Sequence, residues 1–258
     1  MSMRITAGLI AVIGFALLPQ TALTQPAQAG LVDHLKAQAA TGDPEAREML
    51  ARVQQKSAAL VSDIRDRAAQ GDAMAENSLG VLAESGMLGA QDKAGAVKSY
   101  RKTAERGDAE GQLLLGRAYA KGIGVPREPQ QAREWLRKGV EKLNPGRRGP
   151  TRFAGGMEGL QKMAARGSPF AMAELGARYL EGNGIDKNEA EGVRLLTAAR
   201  DQGIKSSALL GSLYETGRAG LPRDEAKALE LYLEEADAVY ATLTGALEHG
   251  IMVMALQN

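Results

Sequence analysis

Apolar residues along most of the chain recur at helical spacing, and small residues interrupt them at a fixed period. A leucine–glycine pair returns four times, followed by Tyr or Ala and then a further glycine. The instances are Leu79-Gly80-Ala83-Gly86, Leu115-Gly116-Tyr119-Gly122, Leu175-Gly176-Tyr179-Gly182 and Leu210-Gly211-Tyr214-Gly217. Gly80 and Gly116 lie 36 residues apart, Gly176 and Gly211 lie 35, and the middle gap is 60. A period in the thirties marks a stacked-helix array, whose units cannot bury their apolar faces alone.

Each unit reads as two helices. From Gly107, Asp108 is placed to cap a helix whose Gly111, Leu115 and Tyr119 share a face at i, i+4, i+8. Asp43, Asp72 and Ser168 take the same place, and Pro44 and Pro169 occupy a first helical position that tolerates proline. A glycine inside a helix costs about 1 kcal/mol against Ala. Its return at 80, 116, 176 and 211 therefore predicts a neighbouring helix that approaches closely. Gly122 and Gly124 end the helix and make the turn. A second helix follows through Ala132 and Trp135, with counterparts in Ala96 and Tyr100, in Gly192, Leu195 and Leu196, and in Ala228, Leu231 and Tyr232.

The stretch Gly122-Ile123-Gly124-Val125-Pro126-Arg127, with Ala132 and Trp135 downstream, resembles the Sel-one-like repeat family, relatives of the tetratricopeptide repeats. The resemblance covers about residues 71–239, with a degenerate copy at 42–70 that starts at Gly42-Asp43-Pro44. It implies an all-α fold, an α-solenoid of antiparallel helix pairs in a right-handed superhelix. First helices would line a concave face that grips other proteins, and the family has no catalytic residues to carry over. Its bacterial members include envelope adaptors and some immunity proteins against secreted toxins.

Residues 1–29 read as a signal peptide: Arg4, an apolar run from Ile5 to Leu18, Pro19, and Ala27-Gln28-Ala29 as the cleavage site before Gly30. The run is short for a membrane span, so the expected mature chain is periplasmic and has none. Formal charge is +1, and without residues 1–29 it falls to 31 basic and 31 acidic residues. That scattered balance argues against nucleic acid as a partner. With no Cys and only His34 and His249, a His/Cys metal site is excluded, and nothing calls for a cofactor. The chain has no P-loop, G-x-S-x-G or H-E-x-x-H motif. Carboxylates such as Glu234 and Glu235 are of a type that does acid–base work, but among 31 acidic residues on helical surfaces a chance pair outweighs a catalytic one.

Two places break the period. The middle gap of 60 exceeds the 36-residue period by 24, and the added stretch, placed at 144–166, reads as a basic loop carrying Arg147, Arg148 and Arg152, then a helix from Met157 to Arg166. The loop is either a contact for an acidic partner or a solvated addition. The chain end, 240–258, reads as a capping helix that runs from Asp224 to about Glu248, then an apolar tail from Ile251 to Leu256. That tail packs back, dimerises or docks a partner.

Turning the first helices at 100° per residue puts Met74, Asn77 and Glu84, then Leu113 and Arg117, then Phe170, opposite the Leu-Gly face. These are the candidate partner-binding residues, and inter-repeat packing is the competing use of the same strip. The expected function is a non-catalytic periplasmic scaffold that holds another envelope protein through this groove. The alternatives are an immunity protein neutralising a secreted toxin enzyme and, less favoured, a cell-envelope hydrolase.

Overall fold

The computed structural model describes residues 31–143, 155–204 and 206–256. The expected signal peptide and the basic loop with Arg147, Arg148 and Arg152 lie outside the described residues. Among the described residues eleven helices follow one another: α1 (Leu31–Ala40), α2 (Pro44–Ala69), α3 (Ala73–Ser85), α4 (Lys93–Glu105), α5 (Ala109–Lys121), α6 (Pro129–Leu143), α7 (Gly156–Ala165), α8 (Pro169–Glu181), α9 (Glu189–Asp201), α10 (Ser207–Thr216) and α11 (Glu225–Leu256). The fold is all-α and repetitive, built from the pairs α3–α4, α5–α6, α8–α9 and α10–α11.

Capping follows the sequence closely. The Asp43, Asp72 and Asp108 carboxylates accept backbone N–H bonds at the starts of α2, α3 and α5. Ser168 holds the equivalent position before α8, but its side chain makes no cap bond there. Every first helix ends on a left-handed glycine: Gly86, Gly122, Gly182 and Gly217, with φ between 63° and 72°.

The leucine–glycine pairs mark the closest approach of the two helices in a unit. A Cβ at Gly80 would lie 2.4 Å from the Tyr100 ring, one at Gly116 2.6 Å from Leu136 Cγ, and one at Gly211 2.6 Å from the Tyr232 ring. At Gly176 it would meet the Gly192 carbonyl at 2.9 Å and Leu196 at 3.0 Å. The residue that fills the notch is therefore Tyr100, Leu136, Leu196 or Tyr232, all fully or nearly fully buried. In the α5–α6 unit it is Leu136 and not Trp135, which is half-buried with the Lys138 ammonium 4.5 Å from its ring. Tyr in the notch brings a hydroxyl that needs a partner. Tyr100 donates to Glu84 (3.0 Å) and Tyr232 donates to Glu215 (3.0 Å), each glutamate four residues after the glycine. Where the notch holds Leu, that position is Ala120 or Leu180. Burial and the neighbouring carboxylate push both tyrosine hydroxyls well above their ordinary pKa.

Three features depart from a regular stack. Residues 44–69 form one 26-residue helix rather than a short helix pair, because no glycine between Pro44 and Ala69 ends it. The insertion helix α7 packs beside α8 in the way that α4 packs beside α5, and α6 packs against α10 and α11 instead of continuing into α8. Lastly, α11 continues without a break to Leu256, past the expected end near Glu248. It lies along α2, α3, α5 and α6, and its buried stripe of Tyr232, Ala236, Val239, Leu243, Leu247 and Ile251 joins the main core.

Two stability predictions follow from this geometry. Gly116→Val should cost about 1–3 kcal/mol through overpacking against Leu136, read as a lowered melting temperature; an unchanged melt would mean the helices have room there. Ala219 has φ 58° at the register where Gly124 (67°) and Gly184 (73°) make the turn in other units. A left-handed non-glycine residue carries a strain of about 1–2 kcal/mol. Ala219→Gly should therefore stabilise the fold, by roughly 1 kcal/mol at most once the added freedom of the unfolded chain is subtracted, and raise the melting temperature. A lower melting temperature would show that the turn accepts alanine without strain.

Candidate functional site

The face predicted to grip a partner is built by α3 and α5, and α11 crosses it. Arg117, on α5, is only 8% exposed and donates from Nη1 to Glu84 Oε1 on α3 (2.6 Å) and from Nε to Asp237 Oδ1 on α11 (2.9 Å). Lys121, one turn further along α5, adds a second cation to Asp237 at 2.6 Å. The Tyr240 ring lies beneath the Arg117 guanidinium, 3.8 Å from its centroid. Burial opposes the charge on Arg117, but Glu84 and Asp237 outweigh it and its pKa is raised. Glu84 is thereby fully engaged, with one oxygen on Arg117 and the other on Tyr100.

The remaining strip residues divide by burial. Asn77 is buried and ties three helices: it donates to Asp108 at the start of α5 (2.8 Å) and accepts from Thr103 on α4 (2.6 Å). Leu113 is buried against α6, where a Cβ at Gly139 would lie 2.7 Å from its Cγ. The reason is that α5 has neighbours on every side (α4, α6 and α11), so residues 111–120 are all buried and no free strip remains on it. As a surface open to a partner, the set Asn77, Glu84, Leu113 and Arg117 is corrected: these four side chains hold the protein's own helices. Met74 and Phe170 stand differently. They are 57% and 70% exposed, each at the second position of its first helix.

Beside Tyr240 a cleft of about 350 Å³ opens between α1, the end of α3 and α11, lined in part by Asp33, Glu84, Gln91, Lys93, Tyr240 and Glu248. At the other end of the fold the ion pairs are again bridges between helices. Glu234 on α11 accepts from Arg200 on α9 (2.9 Å) and Ser207 on α10 (2.6 Å), which hold its carboxyl below the usual range. Arg133 on α6 pairs with Glu225 and lies 3.8 Å from Glu215. Glu234, one of the carboxylates named above, is thus a structural acceptor. Among the described residues no group of His, Asp and Glu is arranged to hold a metal ion, and no helix is long and apolar enough to cross a membrane. The bridging role of Asp237 escaped the sequence reading because its partner, Arg117, lies 120 residues away. The Tyr100–Glu84 pair did leave a signal, since Tyr232 and Glu215 repeat it at the same register.

With this geometry in place, the comparisons with known proteins are specific. A protein-family model for the Sel1 repeat matches residues 109–142, 169–204 and 205–237. The first match is α5–α6, the second α8–α9, and the third ends at Asp237, inside α11. The α3–α4 pair lies outside these matches yet has the same glycine notch, Gly80 on Tyr100. Among solved structures, a Sel1 repeat protein from Oxalobacter formigenes is 24% identical over 75% of this chain and 82% of that one, with a TM-score of 0.36. A protective antigen present in uropathogenic Escherichia coli strains and displaying an SLR fold is 25% identical, with a TM-score of 0.35. That match covers 87% of this chain and 55% of the antigen's, so this chain spans about half the antigen's length. No curated protein matches the chain. Its three matched repeats place the chain in the Sel1-repeat family.

Proposed function

We propose that the chain is an exported, non-catalytic adaptor that holds another protein of the bacterial envelope. Sel1-repeat proteins generally mediate protein–protein interaction. The observation that carries the reading is the pair of exposed apolar side chains at one repeat register, Met74 on α3 and Phe170 on α8. Large apolar groups left in water at equivalent places on a repetitive frame suit a partner that spans several units. The ionisable groups support a scaffold over an enzyme, because Glu84, Arg117, Glu215 and Glu234 are spent on joining helices. In this reading Met74 and Phe170 anchor the partner, and Arg147, Arg148 and Arg152 contribute a further, basic contact. Residues 1–29 direct export and are removed after Ala29.

The test is capture from a periplasmic extract on immobilised protein, followed by dissociation kinetics with the captured partner. Phe170→Ala should speed release about tenfold or more, as expected for an apolar anchor, and leave the melting temperature unchanged because the side chain is exposed. Mass spectrometry of the material isolated from the periplasm should find Gly30 as its first residue. Unchanged release from both Phe170→Ala and Met74→Ala would place the contact elsewhere, and a mature chain still carrying Met1 or Ser2 would contradict export.

A further inference from the structure

The second helices of the other units span 13 or 15 residues, whereas α11 spans 32. The repeat match ends at Asp237, so residues 238–256 of α11 are surplus to the repeat. The part before that point packs on α10 as a second helix should. The surplus part leaves its own unit and joins the helices at the other end of the chain, with Gly250 against Leu60 of α2 and Tyr240 beneath Arg117 of α5. Its apolar stripe, Val239, Leu243, Leu247 and Ile251, advances by four residues at every step, as one face of a helix does. An acidic residue at its head meets two basic residues of the receiving face, Asp237 on Arg117 and Lys121. These are the parts of a helix bound in a groove: apolar anchors at helical spacing and a charge that sets the register.

We propose that residues 237–256 are a built-in occupant of the first-helix groove, and that the groove's external ligand is an amphipathic helix of the same chemistry. Such a ligand carries a carboxylate at the position of Asp237 and an apolar side chain at each place held by Val239, Leu243, Leu247 and Ile251. The proposal deepens the adaptor reading and rests on it for its biological purpose, since a partner helix of this kind enters only when the resident one leaves. One residue eases the displacement of the resident helix. Gly245 sits in its middle and meets nothing within 4 Å, so no close approach calls for a glycine there. Glycine weakens a helix interior relative to alanine. Val239, Leu243 and Leu247 are 7–9% exposed, against 0–1% for Ala228, Leu231, Tyr232 and Ala236, and the stripe closes again at its far end, where Ile251 is 0% exposed.

The experiment uses the full chain and a fluorescein-labelled synthetic peptide of residues 236–256, read by fluorescence anisotropy. The peptide should bind, because it competes with the resident copy of itself. Gly245→Ala in the protein strengthens the resident helix and should weaken peptide binding about fivefold, the propensity difference between the two residues. Leu247→Glu in the protein loosens the resident helix and should tighten peptide binding, with the helical circular dichroism retained. A peptide carrying Asp237→Arg should lose its binding to every form of the protein. The proposal is overturned if the peptide binds neither the natural chain nor a helical Leu247→Glu chain. It is equally overturned if binding is indifferent to Gly245→Ala and to Asp237→Arg. No envelope protein enters the assay, so failure of the adaptor reading and failure of this inference are separate results.

Discussion

The guanidinium of Arg117 lies in the interior between two carboxylates from helices far apart in the sequence, Glu84 on α3 and Asp237 on α11. A buried cation is costly unless its partners stay in place, and losing one partner of such a pair typically costs about 3–5 kcal/mol. That asymmetry constrains the whole molecule. It holds α3 and α5 in register through Glu84, ties the C-terminal helix to α5 through Asp237, and fixes Tyr240 against the planar face of the cation. Tyr100, which fills the glycine notch of the α3–α4 unit, is drawn into the same network through the second oxygen of Glu84. One charge thereby links packing within a unit to closure between the two ends of the chain.

Closure also explains which helices the protein leaves exposed. With α11 over α3 and α5, the centre of the fold is buried on every side and contains few groups free to meet a partner. The α7–α8–α9 part has its own small core around Leu160, Leu175 and Leu195, and joins the rest through Leu180, Leu196 and Leu231. Its first helix keeps the most exposed aromatic side chain among the described residues, Phe170. The molecule thus divides into a closed part, where the binding face is filled from within, and a more open part, where the equivalent helix start faces solvent.

Much of the fold is legible in the sequence because repetition is a local signal. Caps, left-handed glycines and the notch glycines each follow from spacing within some 36 residues, and the structure places Gly80, Gly116, Gly176 and Gly211 where two helices meet. The site is far less legible. Counting residues around a helix puts Glu84 and Arg117 on one strip, and the structure brings them to 2.6 Å, but as partners of each other. Periodicity shows that a face needs covering without saying what covers it. The same limit applies to α11, whose apolar stripe can be read from Leu229 onward while its destination on α2, α3 and α5 depends on contacts over 100 residues away. The continuous α2 is a different case: Leu50-Ala51 imitates a repeat, yet the absence of a terminating glycine decides for one long helix.

Where the end of α11 lies in solution decides whether the groove is filled from within. The chain has no cysteine, so a pair introduced at the exposed positions Ala59 on α2 and Val253 on α11 can be spin-labelled without interference. Double electron–electron resonance between the two labels then reports the distance directly. A filled groove predicts a dominant narrow population at short separation, broadened towards longer distances when Asp237→Arg sets a third positive charge beside Arg117 and Lys121. A broad, long distribution in the unaltered protein would show that the groove is open and that α11 does not close the fold.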